Sequence, residues 1–112
     1  MTTPIRLLRN KTALITGGTT GIGRAIALSY ASHGARVAVN HLDNDAGRSQ
    51  FQSMLKQASE NGQNAEDVLL SVPGDVSRQE DAERMVKSTV DRWGRLDVFV
   101  SHAGVCGVSG LG

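Results

Sequence analysis

Three glycines, Gly17, Gly21 and Gly23, stand in the run Thr16-Gly17-Gly18-Thr19-Thr20-Gly21-Ile22-Gly23. Ahead of it lies a short apolar stretch, Thr12-Ala13-Leu14-Ile15-Thr16, and behind it a stretch with apolar residues at helical spacing. A glycine-rich turn from strand to helix lets main chain come close to a pyrophosphate. The charge of that group is then stabilised by the first N–H groups and the positive end of the helix. Gly23 allows close packing of helix on strand, and the hydroxyls of Thr19 and Thr20 add donors for phosphate oxygens. Three glycines in an arbitrary loop would mean little. In a strand–turn–helix setting they point to a bound nucleotide.

The elements that must hold this turn alternate along the chain. Thr12–Thr16 reads as a buried strand, and Ile22, Ala25, Ile26 and Tyr30 mark a helix that Gly34 ends. Arg36–Asn40 is the second strand. Phe51, Met54, Leu55 and Ala58 mark a second helix, with Asp43 or Asp45 near its start and Gly62 past its end. Val68–Val72 is the third strand, closed by Pro73-Gly74. Ser77 and Glu80 then have the spacing of a capping box. They precede a helix whose face is Ala82, Met85, Val86, Thr89, Val90 and Trp93, and which Gly94 ends. Leu96–Val100 is the fourth strand, and residues 105–112 show no period. This order predicts an α/β chain with one Rossmann-type domain over residues 1–112: a doubly wound parallel sheet of strand order 3-2-1-4.

Composition narrows the function classes. The 112 residues hold 12 Lys+Arg against 11 Asp+Glu with no charged run, so neither nucleic acid nor an anionic membrane is expected as a partner. The single cysteine, Cys106, cannot form an internal disulfide. It reads as a small apolar residue rather than a nucleophile, because His102 is the only base near it in sequence. Residues 1–9 lack a long apolar run, so neither a secretory signal nor a membrane span is expected, and the cytoplasm is the expected compartment. No metal site is indicated.

The G-x-x-x-G-x-G spacing is one residue longer in its first gap than the commonest dinucleotide fingerprint. It resembles the TGxxxGxG signature of the short-chain dehydrogenases/reductases. Gly74-Asp75-Val76 after the third strand and Ser101-His102-Ala103-Gly104 after the fourth match two further motifs of that family, and the resemblance covers residues 11 to 104 or so. It implies that the Asp75 carboxylate accepts from the adenine amino group while main chain at Val76 reads the ring. The other role open to Asp75 is to help start the following helix. Ala103 and Gly104 would form a low wall beside the nucleotide ribose. His102 departs from the family's Asn, which stabilises the central sheet beside the cofactor. Histidine also donates and accepts but is bulkier and titrates near neutral pH. A loop histidine with one backbone bond is the simpler reading of it than a new catalytic role.

The end of the second strand bears on cofactor choice. A carboxylate there, roughly 20 residues after the glycine motif, would bind the ribose hydroxyls and repel a 2′-phosphate. Here the stretch is Val39-Asn40-His41-Leu42, with no acid until Asp43, and His41 occupies the aligned position. NADP is therefore preferred over NAD, with Asn40 or His41 bonding its phosphate, although Thr20 stands where many NADP-using relatives carry arginine.

In this family catalysis needs a Ser and a Tyr-x-x-x-Lys pair. The only tyrosine is Tyr30, with Gly34 four residues on, so no catalytic residue is assigned. The resemblance implies the cofactor-binding half of a truncated NAD(P)-dependent oxidoreductase acting on an alcohol or sugar. Val39–Leu42, Val72–Ser77 and Phe99–Gly107 further resemble fungal sugar dehydrogenases that oxidise L-rhamnose at its anomeric carbon, where Asn replaces His102. The alternatives are a non-catalytic nucleotide-binding fragment, a regulatory partner of a longer subunit, or a non-functional truncated gene product. With Val98, Phe99 and Val100 on an unpaired edge, self-association is expected.

Overall fold

The computed structural model of the chain describes residues 8–101 and the main chain of 104–107. β1 (Thr12–Ile15), β2 (Arg36–His41), β3 (Leu69–Pro73) and β4 (Val98–Ser101) run parallel in the order β3-β2-β1-β4. That is the arrangement the alternation of strand and helix predicts. β5 (Gly104–Gly107) then pairs antiparallel with β4, Val100 opposite Val105. The outer edge of β4 is therefore paired rather than open, and the stretch expected to be irregular begins with a strand. Two glycines in four residues leave no period by which such a strand could be recognised.

Strand alternation divides the apolar residues between two faces. Ile15, Val37 and Val39 pack with α1 (Gly21–Ser32) and α2 (Asp45–Glu60). Leu14, Ala38 and Val72 pack with α4 (Gln79–Trp93). α1 buries Ala27 and Ala31 and packs Ile26 and Tyr30 of the expected face partly buried against the same core, while Ala25 is exposed and Ile22 is 80% exposed. The buried alanines bring the helix axis close to the sheet. α2 is capped by Asn44, whose side chain accepts from Gly47 N at 2.8 Å, and buries Phe51, Met54 and Ala58.

Two boundaries differ from expectation. Residues Ala65–Val68 form a single turn of helix, α3, which delays β3 to Leu69. α4 begins at Gln79, and the Ser77–Glu80 capping box does not form. The Ser77 hydroxyl donates instead to Asp75 Oδ1 at 2.6 Å, a charge-assisted bond that outcompetes a cap to main-chain N–H. Gly94, at φ 80°, ends α4 as expected.

Asp97 joins the starts of β1 and β4. Thr12 N donates to its Oδ2 at 2.9 Å, and Asp97 N donates to Thr12 O at 2.8 Å. Arg95 grips the same carboxylate with Nε and Nη2 at 2.8 and 2.7 Å. The Arg95 guanidinium, as the largest influence, holds the Asp97 carboxyl below its ordinary range; burial pushes the other way, and the Thr12 amide adds a smaller downward pull. Among the described residues no helix is long and apolar enough to cross a membrane.

Candidate functional site

The carboxyl ends of β1, β2 and β3 and the first turns of α1 and α2 surround a cleft of about 430 Å³. Open α/β sheets place ligands at this end of their strands. Gly17 leaves β1 at φ 58° and Gly21 enters α1 at φ 54°, both in the left-handed region that side chains disfavour. A Cβ on Gly23 would collide with the Gly17 carbonyl oxygen, so the turn folds against the first turn of its own helix. Thr20 is the N-cap of α1 in extended conformation, yet its side chain makes no cap bond and the first turn carries no acid. The opening N–H groups of the helix are thus left to an outside acceptor, the condition for anion binding.

Thr19 and Thr20 separate in role. Thr20 is exposed beside those N–H groups. Thr19 is buried and donates its one hydroxyl hydrogen to Gln50 Oε1 at 3.0 Å, so it links the turn to α2 and has no hydrogen left for a phosphate. Ile22 projects from the same helix end. Thr16 Oγ1, buried in the lining of the cleft, has no hydrogen-bond partner among the described residues. A buried hydroxyl in that state is completed by a ligand group or water.

Asn40 and His41 do not do what was expected of them. The His41 ring is buried, stacked on Phe51 at 6.0 Å between centroids. Its Nδ1–H donates to Leu42 O at 2.8 Å, and Nε2 meets the Ser71 hydroxyl at 2.7 Å. The Asn40 amide is equally occupied: Oδ1 accepts from Gly17 N at 3.3 Å, and Nδ2 donates to Val72 O and Gly74 O, each at 3.1 Å. Neither side chain has a free donor for a 2′-phosphate. Strand alternation held the signal, because His41 shares a face with the buried Val37 and Val39.

Across the cleft, Asp75 Oδ1 accepts from the Ser77 hydroxyl and from Ser77 N at 2.9 Å, and the Ser77 bonds lower its carboxyl below the ordinary range. Asp75 N donates to Asp81 Oδ2 at 2.9 Å. The loop before α4 is thereby ordered, and Asp75 Oδ2 is not used in it. Leu42 and Val76 line the cleft with unusually exposed apolar side chains, at 61% and 41%. Sequence reading missed Leu42, Gln50 and Gly47. A Cβ on Gly47 would collide with the Leu42 carbonyl oxygen, so only glycine lets the first turn of α2 lie against the end of β2. His102 and Ala103 lie outside the described residues, and Gly104 opens β5. No cluster of metal-ligating side chains occurs among the described residues.

Comparison with known proteins was made on sequence and on structure. Residues 11–111 match the family profile of the short chain dehydrogenases. The L-rhamnose-1-dehydrogenase of Scheffersomyces stipitis is 46% identical over 101 residues, which are 90% of this chain and 38% of that protein. An L-rhamnose 1-dehydrogenase (NAD(P)(+)) of a Sphingomonas species is 41% identical over 91% of this chain and 37% of its own length. Among solved structures, the C-domain of a bacterial malonyl-CoA reductase with NADP superposes with a TM-score of 0.75 at 28% identity, over 88% of this chain and 15% of that one. The chain thus spans well under half the length of the relatives it matches.

Proposed function

The chain belongs to the short-chain dehydrogenase family, and from that premise we propose that it forms the NAD(P)-binding portion of an oxidoreductase acting on an alcohol or sugar. The observation that carries the reading is the uncapped, acid-free first turn of α1, set behind a turn packed so closely that Gly23 has no room for a Cβ. The pyrophosphate would lie against main chain from Gly17 to Gly23, with the Thr20 hydroxyl as a further donor. Asp75 Oδ2 would accept from the adenine amino group, between the apolar side chains of Leu42 and Val76. Ile22 would give the nicotinamide end an apolar surface, and His102, Ala103 and Gly104 would border the ribose beside it. Bound in this way, a nicotinamide dinucleotide supplies the hydride donor or acceptor.

NADP is proposed over NAD. Among the described residues lining the cleft, Asp75 is the one carboxylate, and it lies on the loop after β3 rather than on β2. Asp43, the first acid after that strand, is paired with Arg48 at 2.8 Å. The substrate proposed is an aldose oxidised at its anomeric carbon, on the strength of the two L-rhamnose dehydrogenases above. Self-association belongs to the same proposal, since Phe99 and Trp93 remain only partly buried on the α4 side.

No residue of this chain is proposed as catalytic. Tyr30 packs partly buried against the core below α1, and the Tyr-x-x-x-Lys pattern does not occur in the 112 residues. The expected behaviour is binding without turnover, as a proton acceptor typically contributes about 10²–10⁴-fold to such reactions. Calorimetric titration with NADP and NAD tests the reading. Gly21→Val should abolish binding, since a β-branched residue at φ 54° strains the turn and places bulk where the anion sits. Asp75→Ala should weaken binding through the adenine. A Gly21→Val chain that binds NADP as the parent does would refute the proposal.

A further inference from the structure

Asn40 hydrogen-bonds to both loops that face each other across the cleft. Toward the turn after β1, its Oδ1 accepts from Gly17 N at 3.3 Å and its main-chain oxygen accepts from Gly18 N at 2.9 Å. Toward the loop after β3, its Nδ2 donates to Val72 O and Gly74 O, each at 3.1 Å. Gly74 N, in turn, donates to the carbonyl of the next residue, His41, at 2.9 Å. The side chain is 4% exposed, and its one acceptor and both amide hydrogens are engaged.

We infer that Asn40 is a positioning residue that sets the spacing between the Gly17–Gly23 turn and the Gly74–Val76 wall. The inference rests on the cofactor reading above, for a dinucleotide must reach both loops at once, pyrophosphate on one and adenine on the other. Asn40 touches neither group and acts through the two loops. An amide suits this place because it carries an acceptor on one side and two donors on the other. A carboxylate of the same shape keeps the bond from Gly17 N but turns an oxygen toward the carbonyls of Val72 and Gly74. Protonation returns one donor.

The experiment compares the parent chain with Asn40→Ala and the isosteric Asn40→Asp. Titrations use three probes: NADP, which spans both loops, adenosine for the wall alone, and inorganic pyrophosphate for the turn alone. If the spacing is what Asn40 supplies, the population with both loops correctly placed falls, and apparent affinity falls in proportion. NADP should weaken at least about 10-fold while each short probe weakens less than about 3-fold. In Asn40→Asp the deficit against the parent should shrink as pH is lowered. Equal weakening of all three probes, or parental NADP affinity in a folded variant, overturns the inference. Amide hydrogen exchange without ligand gives a second readout. Gly17, Gly18 and Gly74 should exchange faster in Asn40→Asp while Val37 and Val39 in the body of β2 keep their protection. Unchanged exchange at the three glycines overturns the inference whatever the parent binds. A parent chain that binds no dinucleotide would sink the cofactor reading alone and leave this exchange result to decide the role of Asn40.

Discussion

Beneath α1 and α2 the sheet presents Ile15, Val37 and Val39 to Phe51, Met54 and Ala58, and all six are buried. Beneath α4 the buried cluster is smaller, Leu14, Ala38 and Val72 against Met85; both clusters are ringed by partly buried apolar residues, Leu28, Tyr30 and Leu55 on the first and Leu70, Phe99, Val86 and Trp93 on the second. The two faces belong to the same strands and differ in how many helices cover them. A second helix confines the side chains below it from both sides, whereas one helix leaves neighbours that can still shift. Removing atoms from a core costs most where the surroundings cannot collapse. The α1–α2 face should therefore behave as the rigid half of the molecule and the α4 face as the yielding half.

His41→Asp is the severest challenge to that contrast. The ring belongs to the confined face, and a carboxylate in its place would be buried against the Leu42 carbonyl. An uncompensated buried charge costs about 3–5 kcal/mol, read from urea unfolding. The same substitution should leave any preference between NADP and NAD where it was, because the side chain points inward. A stable variant that switches to NAD would break the account of this strand end.

Met54→Ala and Met85→Ala compare the faces directly, as each methionine is almost fully buried. Such truncations cost about 2–5 kcal/mol, and Met54 should fall in the upper part of that range and Met85 in the lower. Equal costs would show that a single helix confines its face as well as two do.

Asp97→Asn probes the junction where β1 and β4 meet and should have the smallest effect, about 1.5 kcal/mol near neutral pH. The folded carboxyl is depressed by Arg95 and Thr12. Its contribution is therefore complete above the unfolded carboxylate value, about 3.9, and is lost as pH falls through the lower folded value. Urea titrations at pH 7 and at pH 2 to 3 should show the gap between parent and variant closing in acid. A gap that stays constant would mean that the amide loses packing rather than charge.

These elements were legible to different degrees. The order of the four parallel strands, the cap at Gly94 and the turn around Gly17–Gly23 followed from glycine placement and apolar period, which are local signals. In α1, Ile26 and Tyr30 of the expected face reach the core, but the fully buried positions are the small Ala27 and Ala31 and Ile22 is exposed, because side-chain size decides more there than hydrophobicity. Ser77 looked like a cap, but the competing partner, Asp75, was two residues away and charged. Asn40 and His41 were read as free polar groups near a ligand. Their partners, Gly17, Ser71, Val72 and Gly74, are distant in sequence and become neighbours only when three strands align. β5 gave no signal in four residues.

The bond from Thr12 to Asp97 links residues 85 apart in the chain. β1 occupies the middle of the sheet although it is synthesised before its neighbours β2 and β4. One of its edges can be filled by β2, whose Arg36 stands opposite Thr12. The other must wait until the fourth strand has been synthesised. Closing that longer loop costs about 1 kcal/mol more than closing the first. During translation β1, β2 and β3 can assemble as a three-stranded sheet with the Asn40 tie already in place, and β1 remains an unfilled edge until β4 arrives. Each nascent chain therefore carries an adhesive strand from the synthesis of β1 until that of β4.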